Sequence, residues 1–207
     1  MNPHARRAIS VALSVLALVL AHPSHAGAQK PAGMDHQRMA GMDMPVTIPK
    51  DALYTEADVR FMQGMIAHHA QAIYMSRMAT AHGATPRVLK FANKIDQSQQ
   101  AEIRLMQEWL RANDQIAPDT SAWRHMTMPG MLTAQQLTEL DSAKGPAFDR
   151  TFLTLMIQHH EGALRMVKDL FANPRAAQDV DVSVFANDVQ TVQTAEIGAM
   201  ERMLDNL

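Results

Sequence analysis

Residues 61–79 read FMQGMIAHHAQAIYMSRMA and residues 152–170 read FLTLMIQHHEGALRMVKDL. In register, the two segments share Phe, Met, Ile, a His-His pair, Ala and a second Met. Each is followed by a second related segment, FANKIDQSQQAEIRLMQEWL at 91–110 and FANDVQTVQTAEIGAMERML at 185–204. These have Phe-Ala-Asn, Ala-Glu-Ile, a Met and the closing Leu in common. The offset is 91 residues for the first pair and 94 for the second, so one loop carries a short insertion. The chain is therefore two copies of one helix-loop-helix unit.

Punctuation along the chain agrees. Thr55 with Asp58 three positions on can cap a first helix, and the stretch from Gly83 to Pro86 separates it from a second that ends at Asn113 and Pro118. Gly145 and Pro146 precede a third helix, Asn173 and Pro174 close it, and Ser183 is the expected cap of a fourth. No segment alternates with the period of a strand between turn signals. Two antiparallel hairpins bury their apolar stripes best against each other, which predicts an all-α four-helix bundle. Hairpin one is expected over 51–116 and hairpin two over 145–207. The linker 117–144 should hold a short helix from Thr133, with Gln136 at the capping-box position.

The N-terminus carries Arg6 and Arg7, then an apolar run from Ala8 to Ala21 and small residues at Ala26 and Ala28. That is the pattern of a secretory signal peptide over residues 1–28, and a run of about fourteen residues is shorter than the roughly twenty a bilayer span needs. Export to the periplasm by the general secretory route is expected, leaving a mature chain with no membrane segment. There is no Cys, which excludes disulfides, thiolate metal sites and covalent haem attachment in this chain. A formal charge of −2 with no basic block argues against nucleic acid as a partner. The 17 Met and 10 His stand out against 5% aromatics, and thioether with imidazole is a ligand set for Cu(I) and Cu(II). Methionine also fills helical cores, so position decides.

At 100° per residue, with Phe61 at zero, Met65 falls near about 40°, His69 near about 80° and Ala72 near about 20°, a core stripe. His68 and Met75 fall together near about 330°, at the stripe's edge. The later copy repeats this with Met156 and His160 central and His159 and Met166 at the edge. Gln99, Glu102 and Met106 share the stripe of the second helix, and Gln193, Glu196 and Met200 that of the fourth. A buried Glu needs a partner, so His69 and His160 can be read as structural partners of the carboxylates. The His pairs with flanking Met65, Met75, Met156 and Met166 can equally place imidazole and thioether on one face as a soft metal site, and ligation is the reading favoured for the histidines.

Two further Met/His segments lie outside the repeats. Residues 29–50 contain Met34, His36, Met39, Met42 and Met44 among Gly, Asp and Pro, and read as a flexible arm that collects soft metal. The linker adds His125, Met126, Met128 and Met131 around a Pro-Gly turn, where ligation and packing under Trp123 and Leu132 are equally open.

The two Met-x-x-His-His blocks with a downstream Met, the MPGML linker and the duplicated hairpin together resemble, over residues 51–207, the bacterial family catalogued as domain of unknown function 305. Its periplasmic copper-binding members are called CopM-like. The resemblance implies a ferritin-like four-helix bundle and, for some members, copper binding and resistance. Its motif lands on Asp58, Phe61, Met65, His68, His69 and Met75, and again on Asp149, Phe152, Met156, His159, His160 and Met166.

The function expected is that of a binder rather than an enzyme: a periplasmic protein that sequesters or transfers Cu(I), and also accepts Cu(II) or Ag(I). Its partners are metal ions and copper efflux or oxidase proteins of the same compartment. The alternatives are a ferritin-like di-metal oxidase, which asks for Glu-x-x-His motifs these helices lack, and a metal-free scaffold. Because metal needs neutral imidazole, His-dependent binding is expected to weaken as pH falls through about 6.5.

Overall fold

The structure is a computed structural model that describes residues 44–207. The expected signal peptide, together with Met34, His36, Met39 and Met42 of the expected arm, lies outside the described residues. Helix α1 spans Glu56–Ala81, α2 Pro86–Ala112, α3 Ala134–Ser142, α4 Gly145–Ala172 and α5 Val180–Leu204, with a single 3-10 turn at Ala122–Arg124 before α3. Among the described residues there is no strand.

The expected boundaries hold at most ends. Thr55 donates its backbone N–H to Asp58 at 2.7 Å, and Thr133 and Gln136 form the reciprocal capping box that starts α3. Pro86 and Pro146 occupy first-turn positions, where a missing N–H costs nothing. The cap expected at Ser183 is corrected. Helix α5 begins one turn earlier, because the Asp179 carboxylate accepts from the N–H groups of Asp181 and Val182 at 3.1 Å each. A carboxylate at a helix N-terminus satisfies two orphan donors and faces the positive end of the dipole, so it displaces a serine further along.

Helices α1 and α2 pack as one hairpin, α4 and α5 as the other, and α1 lies against α4. The end of α1 meets the start of α4, where Gly145 N–H donates to the His82 carbonyl at 2.8 Å, so these two run antiparallel. Helix α2 reaches α5 through Lys94 with Glu196 at 3.4 Å, and the cap of α5 through Trp109 Nε1 donating to Asp179 at 3.1 Å. Two fully buried aspartates at equivalent repeat positions clamp the hairpins together. Asp58 accepts the backbone N–H of Ala177 at 2.6 Å, and Asp149 accepts that of Thr85 at 3.2 Å on each oxygen.

The core divides in two. One apolar cluster holds Phe61, Met62, Met65, Met106, Leu110, Met166 and Phe185. The other holds Met75, Ile95, Phe148, Phe152, Met156 and Met200. Between them in sequence, on every long helix, stand two polar residues: His68 and His69, Gln99 and Glu102, His159 and His160, Gln193 and Glu196. All are buried except Glu102, which is half-buried.

Segments outside the long helices wrap α1, of which 19 of 26 residues are buried, whereas α2 buries 8 of 27 on one stripe. Met44, Val46 and Ile48 pack on the first cluster, and Arg60 donates to the Met44 carbonyl at 2.7 Å. The last residues of the expected arm are therefore part of the packed structure, since Val46 and Ile48 supply the apolar surface that its Met-rich portion lacks. The linker crosses α1 and α4 at Pro129-Gly130. Gly130 has φ +79°, and a Cβ on Gly162 of α4 would collide with the Pro129 carbonyl, so both positions require glycine. Gln71 fixes the strap from α1, accepting the Leu132 N–H at 2.7 Å and donating to its carbonyl at 3.1 Å.

Asp149→Ala leaves the Thr85 N–H without its acceptor in the interface between hairpins. Urea unfolding should show a loss of about 1–3 kcal/mol, and an unchanged midpoint would remove this clamp from the account of how the hairpins are joined.

Candidate metal centre

His68 and His159 come from α1 and α4, at the crossing of the two hairpins. Their rings lie 3.8 Å apart between centroids, tilted by 40°, and both are fully buried. The His69 and His160 rings continue the row on either side, 6.5 Å from His68 and 6.3 Å from His159. Each outer histidine meets a carboxylate of its own hairpin: His69 Nε2 lies 2.6 Å from Glu102, and His160 Nε2 lies 2.9 Å from Glu196. The row thus runs from α2 through α1 and α4 to α5.

This arrangement changes the reading of the helix faces. The edge position assigned to His68 and His159 is not a surface position, because the linker strap closes over the seam between α1 and α4. His68 Nε2 donates to the Pro129 carbonyl at 3.1 Å. The angles placed the residues correctly on each helix, but a face at about 330° is exposed only if nothing covers it.

Electrostatics follow from burial. The His68 pKa falls from 6.5 to about 3, first because burial disfavours the charged ring and next because His69 stands beside it, with the Pro129 hydrogen bond opposing in part. His159 is also held well below the usual range, by burial first and then by His68 and His160, with only a weak opposing contribution from the His68 backbone. Burial pushes Glu196 upward, but the hydrogen bond and charge of His160 together with Lys94 outweigh it, so its carboxyl lies below the ordinary value. The inner rings are therefore neutral, and the acid window expected near 6.5 moves well below that for His68.

Unmet nitrogen atoms are the centre's chemical signature. Nδ1 of His68, His69 and His160 and both ring nitrogens of His159 are buried without a hydrogen-bond partner. Each such atom costs about 1–3 kcal/mol when left unmet, and neutral imidazole nitrogen is a metal donor. Among the described residues no three His, Cys, Asp or Glu side chains converge on one point. An ion held here would rely on imidazoles completed by other donors, and thioethers are near in the fold. Met65 and Met166 share the cluster on one side of the histidine row, and Met75 and Met156 share the cluster on the other. All four are buried. The donor set fits a soft ion better than a hard one.

The remaining candidates are placed differently. Met126 and Met128 are buried in the first cluster, Met131 packs at its edge and His125 is exposed. Met44 packs at the edge of the same cluster. Sequence reasoning did not find the Pro129 carbonyl as a partner of His68, nor Lys94 as a partner of Glu196. A backbone acceptor leaves no residue-type signal, and Lys94 has Asp188 as its counterpart in the other repeat.

Comparisons with known proteins bear on the family and the fold. The family model described as a domain of unknown function, DUF305, matches residues 16–110 and 58–204. No curated protein matches the chain. Among solved structures, a DUF305 fragment from Deinococcus radiodurans is 29% identical, with a TM-score of 0.64 over 74% of this chain and 99% of its own. A DUF305 protein from Streptomyces coelicolor is 27% identical, with a TM-score of 0.63 over 72% and 93%. CopM in its Cu(II)-bound form is 29% identical, with a TM-score of 0.60 over 72% of this chain and 96% of its own. CopM has also been solved in Cu(I)-bound, Ag-bound and apo forms.

The lowered pKa values set a stability profile for the metal-free protein. A ring whose pKa is lower folded than unfolded takes up its proton preferentially in the unfolded chain. Stability is thus full above about 6.5 and falls as pH drops from there toward about 3. The slope should reach up to about 1.4 kcal/mol per pH unit for each ring. Urea midpoints measured between about pH 7 and pH 5 should fall in the wild type and flatten in His68→Gln/His159→Gln. An equal slope in both proteins would show that the inner rings are not held neutral.

Proposed function

The chain belongs to the DUF305 family, and from that premise we propose that it is an exported copper-binding protein that holds Cu(I) at the His68–His159 contact and sequesters or transfers it in the periplasm. The observation that carries this reading is the stacked pair itself. Two neutral, fully buried rings present unmet nitrogen atoms between two methionine-containing clusters. Thioether with imidazole favours Cu(I) and Ag(I) over Zn(II) or Fe(II), and the Cu- and Ag-bound forms of CopM support the same choice of ion. His68, His159, Met65, Met166, Met75 and Met156 are the ligands assigned from the bundle. His69 and His160 stand one ring further out.

Binding rather than catalysis is the assigned activity. Among the described residues, surface cavities of about 660 and 250 Å³ lie at the α2–α5 end and beside residues 48–56, and the four histidines line neither of them. Export rests on residues 1–28 as a leader. Among the described residues no helix is long and apolar enough to cross a membrane. The partners assigned are metal ions, with copper efflux or oxidase proteins as the source or destination. Met34, His36, Met39 and Met42 are assigned as a second, methionine-based store.

Anaerobic titration with Cu(I) against a competing chelator tests the assignment. His68→Ala/His159→Ala should weaken the bundle site by at least about tenfold, whereas deleting residues 29–43 should lower the number of ions bound and leave the unfolding midpoint unchanged. Should Zn(II) displace Cu(I) at equal concentration, the methionines are packing and the copper reading fails.

A further inference from the structure

Three of the four histidines have one nitrogen committed and the other bare, and the commitment follows one rule. His68 Nε2 faces the Pro129 carbonyl at 3.1 Å, His69 Nε2 faces Glu102 at 2.6 Å and His160 Nε2 faces Glu196 at 2.9 Å. A carbonyl oxygen has no proton to give, so at His68 the ring nitrogen must be the donor. A carboxylate imposes the same direction on the outer two. In each ring the N–H therefore sits on Nε2, and Nδ1 is the atom left buried without a partner.

We propose that the Pro129 carbonyl, Glu102 and Glu196 are positioning groups that lock His68, His69 and His160 as Nε2–H tautomers and turn their Nδ1 lone pairs toward the interior as the soft-metal donors. The inference rests on the copper-binding reading and deepens it. It assigns the ligating atom, and it adds His69 and His160, which pair with the carboxylates of Glu102 and Glu196, to the donors. A partner on one ring nitrogen fixes both the tautomer and the orientation of the ring and raises the basicity of the other nitrogen. His159 differs from the rest, since neither of its nitrogens makes a well-formed hydrogen bond and only the His68 backbone interacts with the ring to oppose its pKa shift. It lies against the His68 ring, with centroids 3.8 Å apart, and no side-chain partner selects one of its nitrogens.

The strap makes this arrangement depend on the linker. Pro129 reaches His68 because Gly162 lets the turn lie against α4 and because Gln71 holds Leu132 at both its N–H and its carbonyl. The alternative, Nε2 as ligand, would strand the Pro129 carbonyl and two carboxylate oxygens without their donors.

Histidine ¹⁵N NMR on the metal-free full-length mature protein, followed by Ag(I) titration, tests this. His68, His69 and His160 should show the Nε2–H tautomer, and Ag(I) should shift their Nδ1 resonances. Glu102 is the position to vary, because its carboxylate is partly open to solvent and its loss leaves the hairpin core intact. Glu102→Leu should release His69 from a single tautomer and weaken Ag(I) binding about 10- to 100-fold. Glu102→Gln, whose amide oxygen still accepts from Nε2, should restore both. An Nδ1–H tautomer in the wild type, Ag(I) shifts confined to Nε2, or equal affinity in the Leu and Gln variants would overturn the proposal. A wild-type protein that binds neither Ag(I) nor Cu(I) would instead sink the copper reading while the tautomer result stands on its own.

Discussion

Two imidazole rings stacked 3.8 Å apart inside a helical bundle form an arrangement that burial alone does not favour. Apolar side chains of similar volume would pack there without leaving polar atoms unmet. The rest of the structure is arranged around that contact. The two hairpins cross at it, the core splits into one cluster on each side of it, and the linker closes over it. The aspartate clamps at Asp58 and Asp149 hold each hairpin to the loop of the other. They fix the crossing point, and the crossing point brings His68 to His159.

A site made this way is closed by construction. The strap gives His68 a backbone acceptor and leaves no water-facing side to the inner rings, and the resulting desolvation holds both rings neutral. Neutral rings are what a metal needs and what a proton would otherwise compete for. Burial that destabilises the charged imidazole therefore keeps these rings neutral over an acid range in which an exposed histidine would be protonated, as the proposed copper site requires. The methionines complete the logic, since a thioether does not titrate.

Much of this was legible in the amino-acid sequence, and the reason is duplication. Seeing the His-His block twice, each time with a related Ala-Glu-Ile segment behind it, made the hairpins and the matched His, Gln and Glu positions readable without an alignment. Helix angles then placed His69 with Glu102 and His160 with Glu196 on facing stripes. What escaped was everything set by coverage rather than by period. His68 sits at the edge of its stripe, yet it is buried because Pro129 lies over it, and no periodicity within α1 reports what a linker sixty residues away will cover. Met126 and Met128 likewise become core because Gly130 and Gly162 allow a backbone contact that composition does not reveal. The cap of α5 was missed for a simpler reason, as Asp179 outcompetes Ser183 for the same task.

Duplication also sharpens the meaning of the places where the halves differ. Glu102 and Glu196 are repeat equivalents, but Lys94 stands beside Glu196, and its counterpart in the repeat is Asp188, an acidic residue. The two carboxylates differ in their surroundings. Glu196 is 3% exposed and shared between His160 and an ammonium, whereas Glu102 is 23% exposed and, among the described residues, ion-paired with His69 alone. One end of the histidine row is thus sealed beside an ammonium, and the other is partly open to solvent. A cation entering a dry interior needs countercharge nearby, because Coulomb attraction strengthens as water is excluded. A partly open carboxylate stands at one end only, so the two halves of the row are unequal in exposure and in the cation beside the carboxylate.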